Sequence, residues 1–157
     1  VKAVIQRVRE ASVTVEGSIT GSINRGLLVY LGVAGEDTEK DACKMAEKIA
    51  NLRIFNDDAG KMNLSLLDII EKPGASEEGL GILAISQFTL LANVSRGRRP
   101  FYGDAADPER ANALYEHFIE KIREQGLVCE SGVFKAMMDV SYTNEGPVTI
   151  LLDSREI

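Results

Sequence analysis

Residues 81–91 read as one apolar run, Gly81-Ile82-Leu83-Ala84-Ile85-Ser86-Gln87-Phe88-Thr89-Leu90-Leu91, in which only Ser86, Gln87 and Thr89 are polar. A run of this kind, following a connection rich in Gly and Glu at 72–79, predicts a buried strand. Polar side chains inside such a strand need partners, because an unpaired polar group away from water is costly. Ser86, Gln87 and Thr89 are therefore candidates for a site rather than for packing.

The rest of the chain supplies a sheet for that strand to join. Residues 2–9 are short and β-branched, and 12–16 alternate apolar with polar, the period of a half-buried strand. Gly17 and Gly21 punctuate them, and 27–33 is a continuous apolar run suited to a central strand. Asp37 or Thr38 then caps a helix in which Ala42, Met45, Ala46, Ile49 and Ala50 recur at helical spacing. Residues 52–55 predict a further strand, closed by the turn Asn56-Asp57-Asp58-Ala59-Gly60. Turn chemistry explains that Asp pair more simply than a metal does.

A second helix has both its ends written in the sequence. Asp107 caps it, and Pro108 takes the first helical position, where a missing N–H costs nothing. Ala111, Leu114, Tyr115, Phe118, Ile119 and Ile122 make one apolar stripe, and Gly126 ends it. Residues 127–130, 138–143 and 147–152 read as closing strands. The fold class is α+β: a single domain over 1–157 with a curled or barrel-like, mostly antiparallel sheet and two main helices.

Composition narrows the chemistry. A chain of 157 residues with 45% hydrophobic content has enough core for one domain without staples. Cys43 and Cys129 lie too far apart in sequence for a zinc knuckle and suggest small buried residues in a reducing compartment. No leader pattern opens the chain, and no apolar stretch approaches the length of a membrane span, so a cytoplasmic protein with no membrane partner is expected. The one histidine, His117, falls outside the stripe of its helix and is expected to face solvent. Ser-His-Asp and Cys-His mechanisms need an imidazole beside the nucleophile, and none is in prospect. No phosphate-loop or dinucleotide fingerprint is present. Neither a cofactor nor a metal is expected, which leaves catalysis by positioning and main-chain dipoles.

A second motif lies about 60 residues after the first: Asn144-Glu145-Gly146-Pro147-Val148-Thr149. Taken alone it is a turn before a β-branched strand. It has a sharper reading as well. An X–Pro bond gives up only roughly 0.5–1 kcal/mol on becoming cis, and glycine lets a ligand approach the backbone closely. A rigid Gly-Pro element can then aim carbonyl oxygens at a substrate ammonium and block one side of its α-carbon.

The two motifs in this order resemble those of the D-aminoacyl-tRNA deacylases. The likeness extends through Ala3-Val4-Ile5-Gln6-Arg7-Val8, Asn51-Leu52-Arg53-Ile54-Phe55, Gly60-Lys61-Met62-Asn63-Leu64-Ser65, Gly97-Arg98-Arg99-Pro100 and Gly132-Val133-Phe134 with Ala136. Lys135 and Met137 depart from it, standing where a small or polar residue and an acidic one are expected. The resemblance implies a homodimer with active sites at the subunit interface, acting on aminoacyl-tRNA. It implies that Ser86, Gln87, Phe88 and Thr89 line the ester and terminal adenosine, that Phe134 packs near the base, and that Gly146 and Pro147 reject L-aminoacyl groups. Thr89 has two candidate roles, nucleophile or positioning residue, and positioning is favoured because no general base is evident.

Charge bears on the substrate. The net charge is −6, with 18 Lys+Arg against 24 Asp+Glu, which disfavours binding to a polyanion. Screening at cellular salt acts over roughly 8 Å, so a local patch counts for more than the total. Arg96, Arg98 and Arg99 form such a patch and are expected to contact RNA. Two rivals stand beside this reading: a related editing deacylase for mischarged L- or achiral aminoacyl-tRNA, and a non-catalytic RNA-binding module.

Overall fold

The segments 2–9 and 12–16 are one strand, β1 (Lys2–Val15), and it organises the sheet. The computed structural model describes residues 1–72 and 79–157; most of the expected connection at 72–79 lies outside the described residues. β2 (Ser18–Ile23) and β3 (Gly26–Gly32) both pair antiparallel with β1, near its C-terminal and N-terminal ends respectively. α1 (Glu39–Ala50) follows, then a small hairpin of β4 (Phe55–Asn56) and β5 (Met62–Leu64), and α2 (Leu66–Ile70). β6 (Gly81–Ser86) runs parallel to β3. After α3 (Pro108–Glu124), β7 (Cys129–Ser131) runs parallel to β6. β8 (Asp139–Asp153) pairs antiparallel along the remaining edge of β1. The sheet is mixed, and it curls toward a barrel. Where β2 comes round to β7, a Cβ on Gly21 would lie 2.6 Å from the Ser131 carbonyl oxygen, so only glycine admits that closure.

Curling gives the sheet two apolar faces, which is why its middle strands read as unbroken hydrophobic runs. Leu27, Val29 and Leu31 of β3, with Ile82 and Ala84 of β6, pack under the helices against Met45, Ile49, Tyr115 and Phe118. The alternate residues Leu28, Leu83 and Ile85 join Val8, Ala11, Val13 and Ile23 inside the curl. β1 serves both cores because its register against β8 shifts between Val8 and Glu10. That irregularity moves its buried side chains from one face to the other.

The helix ends follow their sequence signals. Asp41 Oδ2 accepts from the Thr38 N–H at 2.9 Å and from its hydroxyl at 2.7 Å, closing the start of α1. Asp107 Oδ1 accepts from the Glu109 and Arg110 N–H groups at 3.1 Å each, at the start of α3. The expected stripe of α3 is buried, with Ala111 half-buried at its first turn. α2 is an addition to the two expected helices. Ser65 caps it: its Oγ accepts from the Asp68 N–H at 3.1 Å, while Asp68 takes the Ser65 N–H in return.

Four readings are corrected. Residues 52–55 pair only at Phe55, because the partner strand β5 has three residues. The run 81–91 is not one strand: β3 ends at Gly32, so the ladder runs out at Ser86, and Phe88–Leu91 wind into a 3₁₀ turn that tucks Leu91 inward. The closing strands at 138–143 and 147–152 are one strand, β8, with an excursion between them. His117 does not face solvent freely; its Nε2 lies 3.2 Å from Cys43 Sγ where α3 crosses α1.

Candidate active site

The chain beyond the β6 ladder builds one wall of a cavity of about 790 Å³. The Gln87 N–H makes a last bond to the Leu31 carbonyl at 2.8 Å, and Phe88 and Thr89 then start the 3₁₀ turn. As its first two residues they have N–H groups with no acceptor inside the turn. The Gln87 side chain folds back, its Nε2 donating to Thr89 Oγ1 at 2.5 Å. Phe88 is exposed and meets the Tyr102 ring edge-on at 5.0 Å between centroids.

Two further walls come from loops. The segment joining β7 to β8 contributes Phe134, Lys135, Ala136, Met137 and Met138. Tyr115 sits behind Phe134 at 6.3 Å and donates its hydroxyl to the Ala84 carbonyl at 2.8 Å. Burial raises that phenol's pKa, so it stays a neutral donor. The loop before α3 contributes Tyr102, Ala105 and Ala106, and the helix itself adds Pro108 and Ala111.

Chemically the cavity is spare. Among the described residues no carboxylate, imidazole or thiol lines it, and Lys135 is the sole charged one that does. It offers hydroxyls from Ser86 and Thr89, an amide from Gln87, main-chain N–H groups, and aromatic faces. Such a set can fix a substrate and stabilise a developing oxyanion, but it cannot relay a proton through a titrating group at neutral pH. Among the described residues, no group of three or more His, Cys, Asp and Glu side chains is placed to hold a metal ion. No helix among them is long and apolar enough to cross a membrane.

The second motif is built separately. Thr149 pairs with Gln6 and Asn144 with Val8, so 145–148 bulge out of the ladder, and the Gly146–Pro147 bond at their centre is cis. Gly146 and Pro147 are exposed and do not line the cavity. Beneath them lies the buried Arg7, whose Nη1 donates to the Ile54 carbonyl at 2.5 Å and whose Nε is 3.5 Å from Glu145 Oε2. Arg25 Nε reaches the same carboxylate at 3.8 Å. Sequence reasoning assigned Arg7 and Glu145 no such role. The available signal was a charged residue at an inward position, in step with Ala3 and Ile5.

Arg96, Arg98 and Arg99 stand on an exposed hairpin closed by two backbone bonds between Asn93 and Phe101, at 2.8 and 2.9 Å. None of the three has an ion pair among the described residues, and none lines the cavity. The chain leaves this hairpin directly into Tyr102, which does. Tyr102, Ala105 and Pro108 were not anticipated as site residues, since no periodicity marks a loop that folds over a strand end.

Known proteins match along the whole length. The family model described as D-Tyr-tRNA(Tyr) deacylase covers residues 4–153. A "D-aminoacyl-tRNA deacylase" of Koribacter versatilis (strain Ellin345) is 56% identical over 99% of this chain and 98% of its own. One of Aquifex aeolicus (strain VF5) is 54% identical over 99% of each. A solved structure titled "c-Myc DNA Unwinding Element Binding Protein" superposes with a TM-score of 0.85 at 41% identity, covering 98% of both chains. Another, titled "Structural Analysis of a probable eukaryotic D-amino acid tRNA deacylase", shares the fold at a TM-score of 0.81 with 17% identity, over 96% of this chain and 97% of its own. The family model and these relatives thus point to one class, the aminoacyl-tRNA ester hydrolases. The chain belongs to the D-Tyr-tRNA(Tyr) deacylase family.

Proposed function

We propose that this chain hydrolyses the ester joining a D-amino acid to the 3′ end of tRNA, releasing the free amino acid and intact tRNA, with the whole of 1–157 acting as one catalytic domain. The observation that carries this reading is the cavity at the end of β6, where main-chain N–H groups and two hydroxyls stand in place of acid–base side chains. The Phe88 and Thr89 N–H groups stabilise the oxyanion of the tetrahedral intermediate, an effect of about 3–4 kcal/mol per donor in other enzymes. Thr89 positions the ester, and the neighbouring ribose 2′-hydroxyl orients the attacking water. Ser86 and Gln87 fix the ester and terminal ribose, and Phe134 packs against the adenine.

Selection is by handedness. An enzyme for many D-amino acids cannot read the side chain, so it fixes the ammonium, the carbonyl and the ribose and leaves one direction open. A stiff wall opposite that direction excludes L-isomers by overlap. Gly146 and Pro147 supply this wall, and because they lie outside the cavity of their own chain they do so for the cavity of a second copy. A homodimer with shared sites follows. Its support is the second edge of β8, which pairs with no strand among the described residues, and the exposed apolar side chains of Leu151 and Met137, 75% and 91% accessible. Glycine has no side chain to exclude, so glycyl-tRNA is also a substrate. Arg96, Arg98 and Arg99 meet the phosphates of the acceptor stem.

The test is a side-by-side assay on D-tyrosyl- and L-tyrosyl-tRNA. Loss of the D-ester with survival of the L-ester supports the reading. Equal consumption of both removes chiral selection and favours an editing role on mischarged L-aminoacyl groups. Binding of tRNA with no ester loss leaves only an RNA-binding module.

A further inference from the structure

Lys135 combines three features that its neighbours do not share. Its φ is +64°, in the left-handed region that side chains with a Cβ disfavour. Among the described residues it is the sole charged one lining the cavity. It is exposed and has no ion pair among the described residues.

The backbone position explains itself, but the side chain does not. The Ala136 N–H bonds the Val133 carbonyl at 3.1 Å, so Phe134 and Lys135 are the central pair of a tight turn. The second central position of such a turn with positive φ is ordinarily glycine's or asparagine's. Glu16, the other residue besides glycine with positive φ among those described, sits beside Gly17 in the two-residue connection from β1 to β2, where the turn type demands it. At 135 a residue with no Cβ would satisfy the turn more easily than lysine. An outlier of this kind beside a cavity points to a role for the side chain.

Resting on the function proposed above, we propose that Lys135 binds the phosphodiester linking the terminal adenosine of tRNA to the preceding nucleotide. Lys135 follows Phe134 directly and lines the same cavity, so its long side chain starts beside the proposed adenine site. Lysine presents a point charge on a long flexible stem, suited to a phosphate whose exact position varies. In a chain of net charge −6, a single cation at the cavity mouth gives the polyanion a defined point of entry.

The experiment compares two substrates that share the ester and differ in the phosphate: D-tyrosyl-tRNA and the D-tyrosyl ester of adenosine. For Lys135→Ala and Lys135→Gly, the preference for the tRNA over the adenosine ester, as a ratio of kcat/KM, is expected to fall about three- to tenfold through KM. The slope of log affinity against log salt for tRNA should shrink by about 0.7, one single-strand contact. Lys135→Arg restores the preference, and Lys135→Gly melts no lower than the parent because the turn is relieved. An unchanged ratio and slope in both variants overturns the proposal, as does an equal loss on both substrates or a failure of Lys135→Arg to rescue. If the parent protein cleaves neither substrate, the functional reading fails instead. Direct binding of uncharged tRNA then decides Lys135: weaker binding in Lys135→Ala supports the contact, and unchanged binding overturns it.

Discussion

The side-chain amide of Gln87 donates to Thr89 Oγ1 at 2.5 Å, so the hydroxyl facing the cavity is held by a group that takes no proton. A nucleophilic threonine needs a base at that place. Thr89→Ala is therefore expected to retain measurable turnover, with kcat reduced by about 10- to 100-fold from lost positioning. Single-turnover kinetics on D-tyrosyl-tRNA check this; a rate indistinguishable from the uncatalysed one would establish the acyl-enzyme route.

Water activation falls to the substrate if no side chain performs it. A tRNA ending in 2′-deoxyadenosine, acylated at its 3′-hydroxyl, should be hydrolysed at least about 100-fold more slowly than the ribose form. Ordinary turnover of the deoxy substrate would remove the ribose from the mechanism.

Gly146 has φ +119°, and a Cβ there would stand 3.0 Å from both Arg7 Nη2 and Val148 Cγ2. Gly146→Ala should lower stability by about 1–3 kcal/mol and relax the D-over-L preference, since the excursion must shift away from Arg7. Denaturant melts and paired D and L assays read the two effects separately.

How much of this was legible in the sequence depended on where the deciding force lay. α3 was readable end to end because Asp107, Pro108, the stripe and Gly126 are local signals. The end of β6 was not. Phe88, Leu90 and Leu91 are as apolar as the strand before them, and what stops the strand is the end of its neighbour β3 at Gly32. The excursion at 145–148 was hidden for a similar reason: it exists only as a mismatch in length against Gln6–Val8. Lys135 was visible as a departure from the family pattern, but its backbone conformation was not.

Acid should unfasten two helix starts. Asp68 has its pKa lowered first by the Ser65 N–H and then by the Ser65 hydroxyl, and Asp41 first by the Thr38 hydroxyl. A carboxyl with a folded pKa below its unfolded value stabilises above the unfolded value, about 3.9, and loses that contribution as pH falls through the folded one. Melting temperatures of the parent and of Asp68→Asn should therefore differ at pH 7 and converge below about pH 4.

The two thiols should separate in reactivity. Burial pushes Cys129 up to about 12, and its residue is 2% exposed, while Cys43 is half-buried beside His117. An aromatic disulfide reagent under native conditions should label Cys43 and spare Cys129 until the protein unfolds. Cys43→Ala should abolish the native labelling.

β1 touches both motifs at once: Gln6 and Val8 frame the Gly146 excursion, and Ala3 is the ladder partner of Leu31, whose carbonyl ends the β6 ladder at Gln87. One strand therefore acts as the ruler that spaces the Gly146 excursion from the end of the β6 ladder. Its side chains can drift over time, but adding or deleting a single residue between Ala3 and Val8 would throw both out of alignment together.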